Sequence, residues 1–360
     1  MTTLRTGIVL ALTLVGLTIS FVTGCASAES HAKVSSRAGT VGLATPAIVR
    51  STNTPAAATA VSSTPAARPA RVISSPHLAQ TPVGLAVEPD RERLYVVDAG
   101  NESVVVVDEE TLRVLDHIAV GGGPIGIVVS PTTRRAFVTL SHRNRVAVID
   151  LTTDKVVDEI AVGTSPEGVA IDEATGTVYV ADVGDNTLTV IDGNAKKVIT
   201  RVKVGQRPQA VALDPTAHRM YVANVLSNSV SVFDAATKRV IATIPVGSQP
   251  DAVTVSPRTG QVFVGNYLDG SVSVIDEATN RVTATVSVGA GPFGIAVDSA
   301  ERVYVADFVA NEVSILDGSS GKALQSLPSP GGPYAVAIDA ARGRLYVANS
   351  DGHDVTVIQV

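Results

Sequence analysis

Seven copies of one repeat predict an all-β fold: a seven-bladed β-propeller of four-stranded blades, its ring closed by an N-terminal strand. Three observations carry this reading. Prolines recur at Pro82, Pro124, Pro166, Pro208, Pro250, Pro292 and Pro333, at intervals of 42 residues five times and then 41. Each unit divides into four short β-branched runs bounded by Asp, Asn, Gly or Pro, which is the composition of strands and turns. The seventh unit ends one run short of the others.

Within a unit the order is constant. The first run follows the proline, as in Ala210-Val211-Ala212-Leu213, and a turn at Asp214 to Ala217 ends it. An aromatic then opens the second run (Tyr95, Phe137, Tyr179, Tyr221, Phe263, Tyr304, Tyr346). A loop such as Asn224 to Asn228 leads to the third run, which closes on Asp108, Asp150, Asp192, Asp234, Asp276 or Asp317. Many runs are apolar at consecutive positions rather than alternating, the pattern of a strand covered on both faces. The first run carries Gly or Ala at alternate positions (Gly84/Ala86, Gly168/Ala170, Ala210/Ala212, Gly294/Ala296), a small face that lets blades converge near the axis. The seventh unit lacks a fourth run, and Arg71-Val72-Ile73-Ser74-Ser75 falls in the matching column ahead of unit 1. A strand over about 71–79 is therefore expected to complete the last blade and remove an exposed sheet edge.

Ahead of the repeats, Arg5 precedes an apolar stretch from Gly7 to Val22 that ends in Val22-Thr23-Gly24-Cys25. This is the layout of an export signal. The tetrapeptide resembles the bacterial lipobox, which implies cleavage before Cys25 and a lipid on its thiol. Residues 1–24 are thus expected to be a lipoprotein signal peptide, and Cys25 the anchor that holds the chain to a cell membrane on its extracytoplasmic side. Residues 25–69, rich in Ala, Ser, Thr and Pro, lack the large apolar side chains needed to offset ordering entropy and read as a disordered tether. The propeller spans 70–360.

The second runs read Tyr179-Val-Ala-Asp182, Tyr221-Val-Ala-Asn224, Tyr304-Val-Ala-Asp307 and Tyr346-Val-Ala-Asn349. Segments such as Val272-Ser-Val-Ile-Asp276 and Val240-Ile-Ala-Thr-Ile-Pro-Val-Gly247 accompany them. Together they resemble the YVTN β-propeller repeat family over residues 71–360, with blade 2 departing at Phe137-Val-Thr-Leu140. The resemblance implies the seven-bladed fold and a surface or periplasmic location, but no single activity.

A net charge of −6 offers no basic face for nucleic acid. A single cysteine excludes an intrachain disulfide, a multi-cysteine metal site and Cys-x-x-Cys-His haem attachment. There is no HExxH, Gly-x-Ser-x-Gly or P-loop pattern. Nor is there a Trp of the kind that pyrroloquinoline-quinone propellers stack on their cofactor. No cofactor and no catalytic residue are assigned.

Candidates instead come from the face where the loop before the first strand meets the loop between the second and third. Recurrent Asp and Asn at strand ends read as turn builders. The non-recurrent residues are Glu167, Gln209, Asp251, Phe293 and Tyr334 after the prolines, with Tyr267, Phe308, His142 and Arg143 from the second loop. They suggest a monomeric binding or scaffold module for a protein or glycan ligand. The alternative is a lactonase- or lyase-like enzyme whose Glu167 and Asp251, with an Asn or Asp, hold a divalent ion through oxygen.

Overall fold

The computed structural model describes residues 69–256 and 258–360. The signal segment 1–24, Cys25 and the tether up to residue 68 lie outside the described residues. The described chain forms seven four-stranded antiparallel sheets. The inner strand of each sheet contacts that of the next, and blade 7 returns to blade 1. The repeat thus folds as the seven-bladed propeller it predicts.

Blade 4 shows the layout: an inner strand Pro208–Asp214, then Arg219–Asn224, Ser229–Asp234 and an outer strand Arg239–Pro245. In the second strand of every blade all residues but the first are buried. That explains why these runs do not alternate. The outer strand Lys197–Lys203 does alternate, every second residue being exposed, whereas Val114–Ala119 and Arg281–Ser287 are exposed almost throughout. The core is divided into clusters that sit between neighbouring blades. Tyr221, Val230 and Val232 of blade 4, for example, pack on Val253, Val262 and Val264 of blade 5.

The small face of the inner strands reflects contact between backbones. A Cβ added at Gly84, Gly126 or Gly168 would lie 2.5, 2.4 or 2.4 Å from the carbonyl oxygen of Ile125, Glu167 or Gln209 on the next blade. Backbone cannot move aside as a side-chain tip does. Gly168→Ala is therefore expected to destabilise the fold by about 1–3 kcal/mol, seen as a lower urea midpoint at unchanged slope.

Ring closure follows the expected register. Arg71–Ser74 pairs antiparallel with Asp354–Gln359 and forms the outermost strand of blade 7. The strand is shorter than the 71–79 expected. Its register shifts between Val72 and Ser74, and Pro76 has no N–H to extend the ladder. The chain beyond it stays attached by other means. The Val355 N–H donates to the Pro76 carbonyl at 3.0 Å, the Ser75 and Thr356 hydroxyls lie 3.1 Å apart, and Leu78 is buried between blades 7 and 1.

Candidate functional site

Each inner strand begins with a proline, which cannot donate to the ladder. In all seven blades the strand pairing slips just after it. A bulge of this kind re-aims the side chain it releases. The released residues Val83, Ile125, Glu167, Gln209, Asp251, Phe293 and Tyr334 all line one cavity of about 250 Å³, enclosed by the inner strands of all seven blades. This is the mouth of the axial channel.

Its wall breaks the seven-fold repetition. Blades 1 and 2 contribute Val83 and Ile125, blades 3 to 5 contribute Glu167, Gln209 and Asp251, and blades 6 and 7 contribute Phe293 and Tyr334. The Phe293 and Tyr334 rings lie 4.1 Å apart between centroids at 35°. Tyr267 meets Phe293 edge-on at 6.0 Å, and Phe308 lies 6.2 Å from Phe293 and 6.4 Å from Tyr334. Four aromatics spread over three blades in the sequence therefore form one contiguous cluster beside the acidic arc.

The polar arc is poorly satisfied. Gln209 and Asp251 are only 9% and 8% exposed, and among the described residues Gln209 Oε1 has no hydrogen-bond partner. Burial raises the Glu167 carboxyl above the usual carboxylate range, with the positive charge of Arg207 pulling it back. Burial also pushes Asp251 up to about 7; Arg207 opposes that shift and the Glu167 charge adds to it. Burial likewise raises Tyr334, reinforced by both carboxylates. Unpaired carboxylates in a sheltered site are costly unless something supplies the missing partner.

Two residues that shape this arc escape the sequence reading. Arg207 stands immediately before Pro208 with φ of 53°, and its Nε is buried without a partner among the described residues. Asn186 holds it there by accepting the Arg207 N–H at 2.7 Å. The same Asn staple holds Ser165 and Gln249, at 2.9 and 3.0 Å from Asn144 and Asn228. Blades 3 to 5, which carry the polar channel residues, are the ones whose pre-proline residue is a non-glycine at positive φ; blades 2, 6 and 7 use Gly123, Gly291 and Gly332. Thr139 is the second omission. Its hydroxyl donates to the Glu167 carbonyl at 2.7 Å and accepts the Gly126 N–H at 2.8 Å, fixing the backbone from which Glu167 projects. The departure of blade 2 from the Tyr-Val-Ala pattern was the available signal.

His142 and Arg143 are not brought to the channel. Both are exposed; they cover Gly123 and Gly122, and the Arg143 guanidinium is paired with Glu159 at 2.9 Å. The strand-end residues Asp98, Asp182, Asn224, Asn266, Asp307 and Asn349 are fully buried and engaged locally. Asp98 accepts the N–H groups of Gln80 and Thr81 at 3.0 and 2.9 Å. The other five bond a hydroxyl seven positions on: Thr189, Ser231, Ser273, Ser314 and Thr356. Leu140 of blade 2 instead precedes Ala147 by the same spacing.

Among the described residues no group of three or more His, Cys, Asp or Glu side chains converges as a metal site. Glu167 and Asp251 alone leave most of a hard cation's coordination sphere unfilled, and Arg207 repels it. What the arrangement offers chemically is recognition: hydrogen-bond acceptors on one side, aromatic faces on the other.

A family profile described as YNCE-like beta-propeller matches residues 42–177 and 212–302. No curated protein matches the chain. Among solved structures, hydrazine synthase from Kuenenia stuttgartiensis superposes with a TM-score of 0.72 at 23% identity, over 78% of this chain and 96% of that one. At that identity the likeness speaks for the fold alone.

Proposed function

We propose that this chain, which belongs to the YNCE-like β-propeller family, is a binding module for a protein or glycan ligand whose site is the mouth of its axial channel. The observation that carries this reading is the asymmetric wall. Seven equivalent bulges deliver acceptors from three consecutive blades and aromatics from the next two. Clefts that mix an apolar lining with a few convergent polar groups are the usual form of binding sites. The metal-dependent hydrolase reading is the weaker of the two, because the channel supplies two carboxylates with a guanidinium beside them.

The lone cysteine at the end of Val22-Thr23-Gly24-Cys25 supports display of the propeller from a membrane through a lipid on Cys25, with residues 25–69 as the spacer. Profiling the mature chain on glycan and peptide arrays, beside a Gln209→Ala/Tyr334→Ala variant, tests the site. Ligands of the parent chain are expected to bind the variant at least roughly tenfold more weakly, since anchor residues at the centre of a site dominate affinity. Undiminished binding by the variant would move the ligand site elsewhere.

A further inference from the structure

We propose that the channel mouth receives the ammonium group of a lysine side chain presented by a protein partner, seated among Glu167, Gln209 and Asp251 with its stem against Phe293 and Tyr334. The proposal rests on the channel being the ligand site.

Three features select this chemistry. The first is the donor–acceptor match. Glu167, Gln209 and Asp251 occupy the same position on three consecutive inner strands and line the cavity. Gln209 Oε1, turned away from solvent, has no partner among the described residues and is free to rotate toward a donor. An alkylammonium brings three N–H donors and no acceptor, which is what such an arc lacks. The second is charge. Two carboxylates and the Arg207 guanidinium leave one negative charge uncompensated when both acids are ionised, and one monocation cancels it. An anionic ligand meets two carboxylates first, and an uncharged sugar leaves the charge in place. The third is shape. The cavity of about 250 Å³ has Val83, Ile125, Phe293 and Tyr334 on its remaining sides, suited to the methylene stem of one unbranched side chain and to a cation near an aromatic face.

The rim indicates that the lysine arrives on a protein. Leu226, Leu268 and Val309 hold equivalent loop positions on blades 4, 5 and 6 and are 59%, 62% and 55% exposed. The other blades place Gly100, His142, Gly184 and Asp351 there. The apolar arc therefore overlaps the acidic blades and continues into the aromatic ones, fitting apolar residues that flank the inserted lysine.

Calorimetric titration of the full chain tests this with three probes: the capped pentapeptide Leu-Ala-Lys-Ala-Leu, the same peptide with Nε-acetyl-lysine, and n-butylamine. The lysine peptide is expected to bind, n-butylamine to compete with it, and acetylation to weaken it roughly 30-fold. Glu167→Gln with Asp251→Asn should weaken it to a similar degree while melting no lower than the parent. Leu268→Ser should weaken the peptide more than it weakens n-butylamine. Equal affinity for the acetylated peptide, or no lysine-peptide binding at millimolar concentration, overturns the proposal. Binding of n-butylamine alone overturns the protein partner. If both peptides bind and Tyr334→Ala abolishes both, the lysine assignment falls and the channel site stands. If Tyr334→Ala leaves binding unchanged, both fall.

Discussion

A chain that begins at residue 81 is expected to melt about 10 °C below one that begins at residue 68. Residues 70–80 tie blade 7 to both of its neighbours. Arg71 and Val72 pair with Gln359 and Ile358, Gln325 Nε2 donates to the Ala70 carbonyl at 2.8 Å, and the Gln80 N–H donates to Asp98 Oδ2 at 3.0 Å. Ala70 packs with Tyr304 and Ile358 between blades 6 and 7, while Leu78 packs with Leu94 and Tyr346 between blades 7 and 1. Losing the Leu78 side chain alone costs about 2 kcal/mol of apolar burial. The lost ladder bonds and re-exposed Ile358 bring the total to roughly 4 kcal/mol, and each kcal/mol is worth about 2–4 °C in a domain of this size. The shortened chain also presents Asp354–Gln359 as a free edge, so it is expected to self-associate on a sizing column. Equal melting temperatures with a monomeric elution would show that the seam does not need this strand.

Asp251→Asn is expected to raise the melting temperature at pH 8 and leave it nearly unchanged at pH 4. The carboxyl rises from an ordinary value of 3.8 to about 7 in the folded chain, through burial with Glu167 adding and Arg207 opposing. Tyr267 and Tyr334 feel its charge from the aromatic side. Between those values the folded chain keeps a proton that the unfolded chain releases. Stability therefore falls as pH rises from about 4 to about 7, and above that the fold bears a buried, unpaired carboxylate. A rise of this size corresponds to roughly 4 kcal/mol. The asparagine still buries an amide lacking partners, which leaves a net gain of about 1–3 kcal/mol at pH 8. Melts of parent and variant across this range check it. Parallel curves would mean that the Asp251 carboxylate is already satisfied in the fold. A position where the native residue destabilises the fold is the trade expected of a binding residue.

The register was legible because the repeat constrains backbone against backbone. The proline spacing, the glycines at 84, 126 and 168 and the missing seventh outer strand all report contacts that every blade must make. The place of the closing strand is legible in the repeat but its length is not, since Pro76 ends a ladder that the spacing alone would carry further. The site was legible only in part. Glu167, Gln209, Asp251, Phe293 and Tyr334 stand out as the positions where repetition fails, and one bulge geometry turns them all to the same cavity. Arg207 was hidden because the residue before the proline varies from blade to blade, and its role depends on the Asn186 staple and a positive φ. His142 and Arg143 carry eye-catching chemistry, yet the glycine run at 121–123 lets them fold down over backbone, and Glu159 takes the charge.

The closing strand has one more consequence. Arg71 and Gln359 pair on neighbouring strands of blade 7, so both ends of the described chain meet at one seam. A load arriving through the residues before Arg71 falls first on a four-residue strand. That seam is expected to act as a mechanical fuse, yielding before any interior strand is stressed while the polar half of the channel, built from blades 3 to 5 across the ring, keeps its shape. Single-molecule pulling from residue 68 checks it, and a first rupture in any other blade would overturn it.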